Sequence, residues 1–305
     1  MSNLRPERRE VFCGHVWGDT HRRELMIGMT DGRAGMVSLE GTPLGPTIDE
    51  PVSTSDTIAL LPLDDIVIVG RYDNKTVSAH NWRTGERLWH LDGYEQLQQI
   101  CCHSKRKAVV HHGTGCCSEL DALNGKVLGE CDGVMSVLAD SMTPRIMLVR
   151  GGLRPRTAMT LECRRRLCEV PTFEIPCDVA GYPRGTFADS WVALSENEFG
   201  RILCLANDGT ELWRYVPEPE QGFPCITKTP DGRHVFGDRR PFKRSRPFDE
   251  AWLFDAQSGE VVWRKDLPIE HLAYEPIAEG SIIAGPKGLL HIPELTWEAR
   301  DFRLD

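Results

Sequence analysis

The sequence predicts an all-β fold, a seven-bladed β-propeller of four-stranded antiparallel blades in a single domain spanning residues 1–305. Three observations carry this expectation. One short turn motif recurs at a period of about forty residues, brief β-branched runs stand ahead of its copies, and no stretch has the periodicity of an amphipathic helix.

The motif is clearest in four copies. They run from Asn81 through Gly85 to Trp89, from Asp121 through Gly125 to Leu128, from Ala206 through Gly209 to Trp213, and from Asp255 through Gly259 to Trp263. Weaker copies fit at Leu39–Leu44, Glu162–Leu167 and Pro293–Trp297, which makes seven. The turn positions 41, 85, 125, 165, 209, 259 and 295 lie 36 to 50 residues apart, the length of one four-stranded unit. Thr-Gly, Asn-Gly, Asp-Gly and Ser-Gly are hairpin signals, because glycine takes positive φ without steric cost and the polar residue before it bonds nearby backbone. Each such turn is expected to join the third and fourth strands of a blade.

Ahead of the turns, Asp65–Gly70, Lys107–Val110, Arg145–Val149 and Ser281–Gly285 are too short for helices and rich in β-branched residues, as second strands would be. First strands are expected at Thr57–Leu61, Val134–Leu138 and Cys225–Thr227. The blades then fall approximately at 11–52, 53–94, 95–133, 134–175, 176–222, 223–268 and 269–305, each contiguous, so the ring would close by face contact between the first and last. A four-stranded sheet of this size cannot bury both faces alone, and circular stacking protects every blade.

The run of Ala or Asp, a turn glycine preceded by a polar residue and a tryptophan four positions later, best seen at 203–216 and 252–264, resembles the quinoprotein-like (pyrroloquinoline-quinone-like, WD-type) propeller repeat. The resemblance implies that Trp89, Trp213 and Trp263 pack between blades. Quinoprotein dehydrogenases of this superfamily place a vicinal disulfide beside the cofactor, and Cys101-Cys102 and Cys116-Cys117 are vicinal pairs here. They are nevertheless expected to be reduced packing residues, with no cofactor. The fold itself says little about function, since propellers host enzymes, receptors and adaptors alike.

Composition narrows the partners. With 36 Lys and Arg against 45 Asp and Glu, the net charge of -9 opposes wholesale wrapping by nucleic acid or an anionic membrane. The amino terminus is charged, and no run approaches the roughly 18 consecutive apolar residues of a membrane span, so a cytoplasmic location is expected. Most of the 11 cysteines fall in apolar strand-like runs, where a thiol acts as a small hydrophobe.

Candidate chemistry is sparse. His111-His112 near Cys116-Cys117 lacks the spacing of a zinc site, and adjacent strand residues point to opposite faces. Cys163, Cys168 and Cys177 lie close in sequence without a Cys-x-x-Cys unit and are read as packing residues. No nucleophile elbow, Walker loop, zincin motif or dinucleotide fingerprint appears. Accordingly no catalytic, cofactor or metal residue is assigned.

The longest interval between turns is enlarged by an insertion from Asp238 to Glu250 that carries Arg239, Arg240, Phe242, Lys243, Arg244, Arg246 and Phe248. By strand count it joins the second and third strands of the sixth repeat. In an up-and-down blade that loop emerges on the same face as the crossovers between blades. These seven residues are the candidate partner-binding set, with the arginines for carboxylate or phosphate and the phenylalanines as apolar anchors. The expected function is a non-catalytic interaction scaffold or adaptor in a larger bacterial multiprotein assembly, docking another protein on the crossover face. The alternative is a small cytoplasmic hydrolase or lyase with its site at the mouth of the central channel, which also has room for a small molecule.

Overall fold

The turn motif is where each blade is built. In the computed structural model, Asn81 accepts the Gly85 N–H on its carbonyl at 2.8 Å and donates its own N–H to Glu86, and its side-chain oxygen takes the N–H groups of Arg83 and Thr84. Asp121 and Asp255 repeat this pattern with Gly125 and Gly259. The Asx residue thus satisfies the donors that the reversal would orphan, and the glycine supplies φ of +71° to +76° at these three turns. In all four clear copies the ladder also shifts register by one residue just before the turn, between Ala79 and His80, Glu119 and Leu120, Cys204 and Leu205, and Leu253 and Phe254. A bulge at that point strengthens the local twist.

The structure describes residues 13–298 except 20–21, 30, 49–56, 62–63, 152–158, 180–182, 197–199, 219–220, 242–248, 268–272, 278–279, 286–287 and 293–295. Their strands form meanders in chain order. The first is β1 (Cys13–Trp17), β2 (Leu25–Met29) and β3 (Ala34–Val37). Then follow β4 (Thr57–Leu60), β5 (Ile66–Arg71), β6 (Thr76–Asn81) and β7 (Arg87–Asp92), and next β8 (Gln99–His103), β9 (Lys107–His112), β10 (Cys116–Asp121) and β11 (Val127–Cys131). The middle of the chain supplies β12 (Val134–Ala139), β13 (Ile146–Arg150), β14 (Met159–Arg164) and β15 (Phe173–Cys177), then β16 (Arg184–Phe187), β17 (Trp191–Ser195), β18 (Ile202–Ala206) and β19 (Glu211–Tyr215). The last two are β20 (Gln221–Lys228), β21 (His234–Pro241), β22 (Asp249–Asp255) and β23 (Val261–Leu267), and β24 (Ala273–Ile277), β25 (Gly280–Gly285), β26 (Gly288–Ile292) and β27 (Thr296–Glu298). Each meander is an antiparallel sheet paired in sequence order.

The fold is therefore a β-propeller with six four-stranded blades, not the expected seven. The remaining sheet, β1-β2-β3, has three strands among the described residues. Its turn glycine, Gly41, is followed by Thr42-Pro43-Leu44-Gly45-Pro46, and neither proline has an N–H to give a ladder. What remains is one isolated bridge, Val37 with Pro43, and single bonds from Leu44 N to Met36 O and from Ile48 N to Ala34 O. The first strands line the centre, β4 beside β8, β8 beside β12, and onward through β16, β20 and β24 to β1. β2 and β3 pack in turn on β4 and β5 through Met26, Met36, Ile58 and Val67, which closes the ring by face contact.

Neighbouring blades are locked by a repeated device. Trp213 on β19 lies across the next blade's turn, its indole N–H donating to Ala256 O at 2.9 Å, and a Cβ on Gly259 would sit 2.7 Å from its ring. Trp89 on β7 does the same to Ala122 and Gly125, at 3.0 Å in both contacts. Where tryptophan is missing, Ile175 covers Gly209 and Pro46 covers Gly85. The expectation that all three repeat tryptophans are largely buried needs correction: Trp213, stacked on Phe254 with ring centroids 5.7 Å apart, is buried at 8% exposure, whereas Trp89 and Trp263 are half-buried.

Candidate functional site

Two places stand out. The first is a cavity of about 240 Å³ at the centre, lined by the first strands and by residues just after them, among them Asp19, Leu60, Cys102, Asp140, Phe187 and Lys228. Its polar groups are tied across the channel. Ser141 donates to Asp19 Oδ2 at 2.9 Å, joining β1 to the strand opposite, and the Lys228 ammonium bonds the Asp140 carboxylate, whose other oxygen takes the Met142 N–H. Asp140 is buried and Lys228 nearly so, and Lys228 also stands over the buried Phe187 ring. Burial holds the Cys101 thiol up at about 12 and Cys102 well above its ordinary value, so this vicinal pair is protonated and poorly nucleophilic.

Sequence reasoning assigned none of Asp19, Asp140, Ser141 or Lys228. A signal existed, because each ends or follows a first strand, so aligning the repeats on that strand rather than on the turn gathers them.

The other candidate groups do not assemble. His111 and His112 diverge as expected, Nε2 of the first 3.1 Å from Val134 O and Nε2 of the second 3.0 Å from Ser118 Oγ. Cys163 opposes Phe173 and Cys177 opposes Met159 in the β14–β15 ladder, while Cys168 lies against Gly129 of the neighbouring blade. Cys101, Cys102, Cys116, Cys117, Cys131, Cys163, Cys168, Cys177 and Cys204 are free thiols. Among the described residues no three His, Cys, Asp or Glu side chains come together as a metal-binding group, and no helix is long and apolar enough to cross a membrane.

The second place is the outer end of the β20–β23 blade. Its strands are seven or eight residues long, against three to six in every other sheet. His234 opposite Asp255 occupies the same register as Ile66 opposite Asn81, so the added length lies wholly at the other end, on the crossover face. Pairing continues through Arg239 with Glu250, Gly222 with Arg240 and Gln221 with Pro241. At about 3.3 Å per residue, the two to four residues by which its strands exceed those of the adjoining sheets carry the blade tip roughly 7–13 Å beyond its neighbours. Arg239 and Arg240 thus stand on β21 rather than in a loop. Phe242, Lys243, Arg244, Arg246 and Phe248 lie outside the described residues.

No protein-family model and no curated protein matches the chain. Among solved structures, the β-propeller domain of Myceliophteria thermophila Cps50 (Swd1) superimposes with a TM-score of 0.68 at 9% identity, covering 93% of this chain and 94% of that one. BamB from Moraxella catarrhalis does so with a TM-score of 0.57 at 13% identity, covering 91% and 81%. At these identities the likeness is one of fold.

Proposed function

We propose that this chain is a non-catalytic, cytoplasmic propeller that docks another protein on its crossover face, as an adaptor within a larger assembly. The observation that carries the reading is the projecting blade: one sheet in the ring outgrows the rest, only at one end, and that end bears a cluster of Arg, Lys and Phe in a chain that is acidic overall. A protruding paired sheet end presents side chains at low entropic cost, and arginine beside phenylalanine suits a carboxylate-rimmed apolar partner. A Swd1 β-propeller domain and BamB are among the solved structures of similar fold, which supports the propeller scaffold on which this reading rests.

In this reading Arg239, Arg240, Arg244 and Arg246 supply charge, Lys243 supports them, and Phe242 and Phe248 anchor. Replacing the four arginines by serine is expected to weaken binding of the partner recovered from the native host at least tenfold, with the deficit shrinking as salt is raised, while the melting temperature stays unchanged. Undiminished affinity in that quadruple variant removes the docking assignment.

A further inference from the structure

We propose that Cys117 and Cys131 form a reversible redox pair, in which Cys131 is the thiol that meets a peroxide and Cys117 the thiol that resolves it into a cross-strand disulfide. The two residues are direct partners in the β10–β11 ladder. Directly opposed residues of antiparallel strands have Cα atoms about 4.5–5.5 Å apart, within the roughly 4.4–6.8 Å that a disulfide spans. Their Cβ atoms, about 4.5–5.5 Å apart in such pairs, must draw together to the 3.5–4.5 Å of a disulfide, which leaves the bridge readily reducible.

The pair is asymmetric in the way such chemistry needs. β11 is the outer strand of its blade, and Cys131 is partly exposed there, whereas Cys117 is buried at 1% exposure directly behind it. Cys117 donates a hydrogen bond to the Cys131 sulfur, and the guanidinium groups of Arg150 and Arg164 from the next blade add positive charge. Together these outweigh burial and the nearby Asp132 carboxylate and draw the Cys131 thiol down to about 7. Arg150 is held in place by bonds to Asp132 O and to Glu162, which Arg164 also engages at 2.7 Å. The neighbouring thiols differ: Cys116, bonded to Asp132, is raised, and Cys101 is held up at about 12 by burial.

In the first step the Cys131 thiolate attacks one peroxide oxygen. The S–O bond forms, the O–O bond breaks, and the departing oxygen leaves as water or alcohol after taking a proton. In the second, the Cys117 sulfur attacks the sulfenic sulfur, the S–S bond forms, and the S–O bond breaks with release of water that carries the Cys117 proton. A dithiol reductant returns two electrons and two protons and restores both thiols.

The test is to treat the purified protein with a few equivalents of hydrogen peroxide, alkylate the remaining thiols and digest with trypsin without reduction. Lys126 separates the two cysteines, so the disulfide links peptide 108–126 to peptide 127–145. Fragmentation distinguishes Cys117 from Cys116. The expected result is a Cys117–Cys131 link that dithiothreitol abolishes, retained in Cys116→Ser. Cys117→Ser should instead accumulate a sulfenic acid at Cys131 that dimedone traps. A link from Cys131 to Cys116 or Cys168, or overoxidation of Cys131 in the wild-type protein without any link, overturns the assignment.

Discussion

Where β7 meets the β8–β11 blade, the join is apolar: Trp89 rests on Gly125, and its one polar atom is satisfied by Ala122 O. One interface further round, where β10 and β11 meet the turn at residues 165–168, there is neither tryptophan nor turn glycine. Glu119, fully buried on β10, reaches that turn instead and takes the Leu167 N–H at 3.0 Å. His103 Nε2 and Arg166 Nε each stand 3.6 Å from its carboxylate, and Lys107 Nζ 3.3 Å. Burial pushes this carboxyl up, but His103, the Leu167 N–H and Lys107 outweigh it and hold it at about 2. The same ring thus uses a shape-based lock at one interface and a charge-based lock at the next. The first depends on volume and is indifferent to pH, while the second depends on ionisation.

The largest effect is expected at the tightest apolar lock. Trp213→Ala should cost about 3–5 kcal/mol in denaturant unfolding, and Trp89→Ala, at a half-buried site, about 2 kcal/mol. Equal stability of wild type and both variants would mean that the indoles only cover the surface.

Next comes Glu119→Gln, which keeps an acceptor for Leu167 but leaves three basic groups facing a neutral side chain, and should cost about 2 kcal/mol at pH 7. The sign of its pH dependence follows from a carboxyl that is lower in the folded state than unfolded. Its stabilisation is complete above the unfolded value near 4.5 and disappears as pH falls from there toward 2. The gap between wild type and Glu119→Gln should therefore close over that range, while the gap between wild type and Trp213→Ala stays level. Parallel behaviour of the two gaps would erase the distinction between the locks.

The smallest effect belongs to the turns themselves. Asp121→Ala and Asp255→Ala each remove an acceptor from turn backbone N–H groups and should cost about 1 kcal/mol, measured as a modest fall in melting temperature. A loss as large as that of Trp213→Ala would show that the turn, rather than the interface, organises the blade.

These cases also separate what could be read in advance. The Asx-to-glycine turns, the strands ahead of them and the tryptophan lock were legible because their partners lie within one repeat or at a fixed offset in the next. Pro43 and Pro46 were visible too, but a motif matched on Gly41 alone counted a seventh four-stranded blade where two missing N–H groups break the ladder. Glu119 looks in sequence like any strand carboxylate; its own sheet brings His103 and Lys107 to it, and only the neighbouring blade adds Arg166 and the Leu167 N–H.

By itself, then, the sequence determined the elements: hairpins whose turn chemistry is local, β-branched strands of limited length, and a period that obliges sheets to stack in a ring. Tertiary structure alone decided which distant groups meet. It set Asp19 against Ser141 across the centre, paired Lys228 with Asp140, and let one blade outgrow the others on a single face. The reason is one of range. Backbone hydrogen bonding and side-chain alternation act over a few residues and leave a periodic trace, whereas contacts across a closed ring join positions about a hundred residues apart and obey only the geometry of closure.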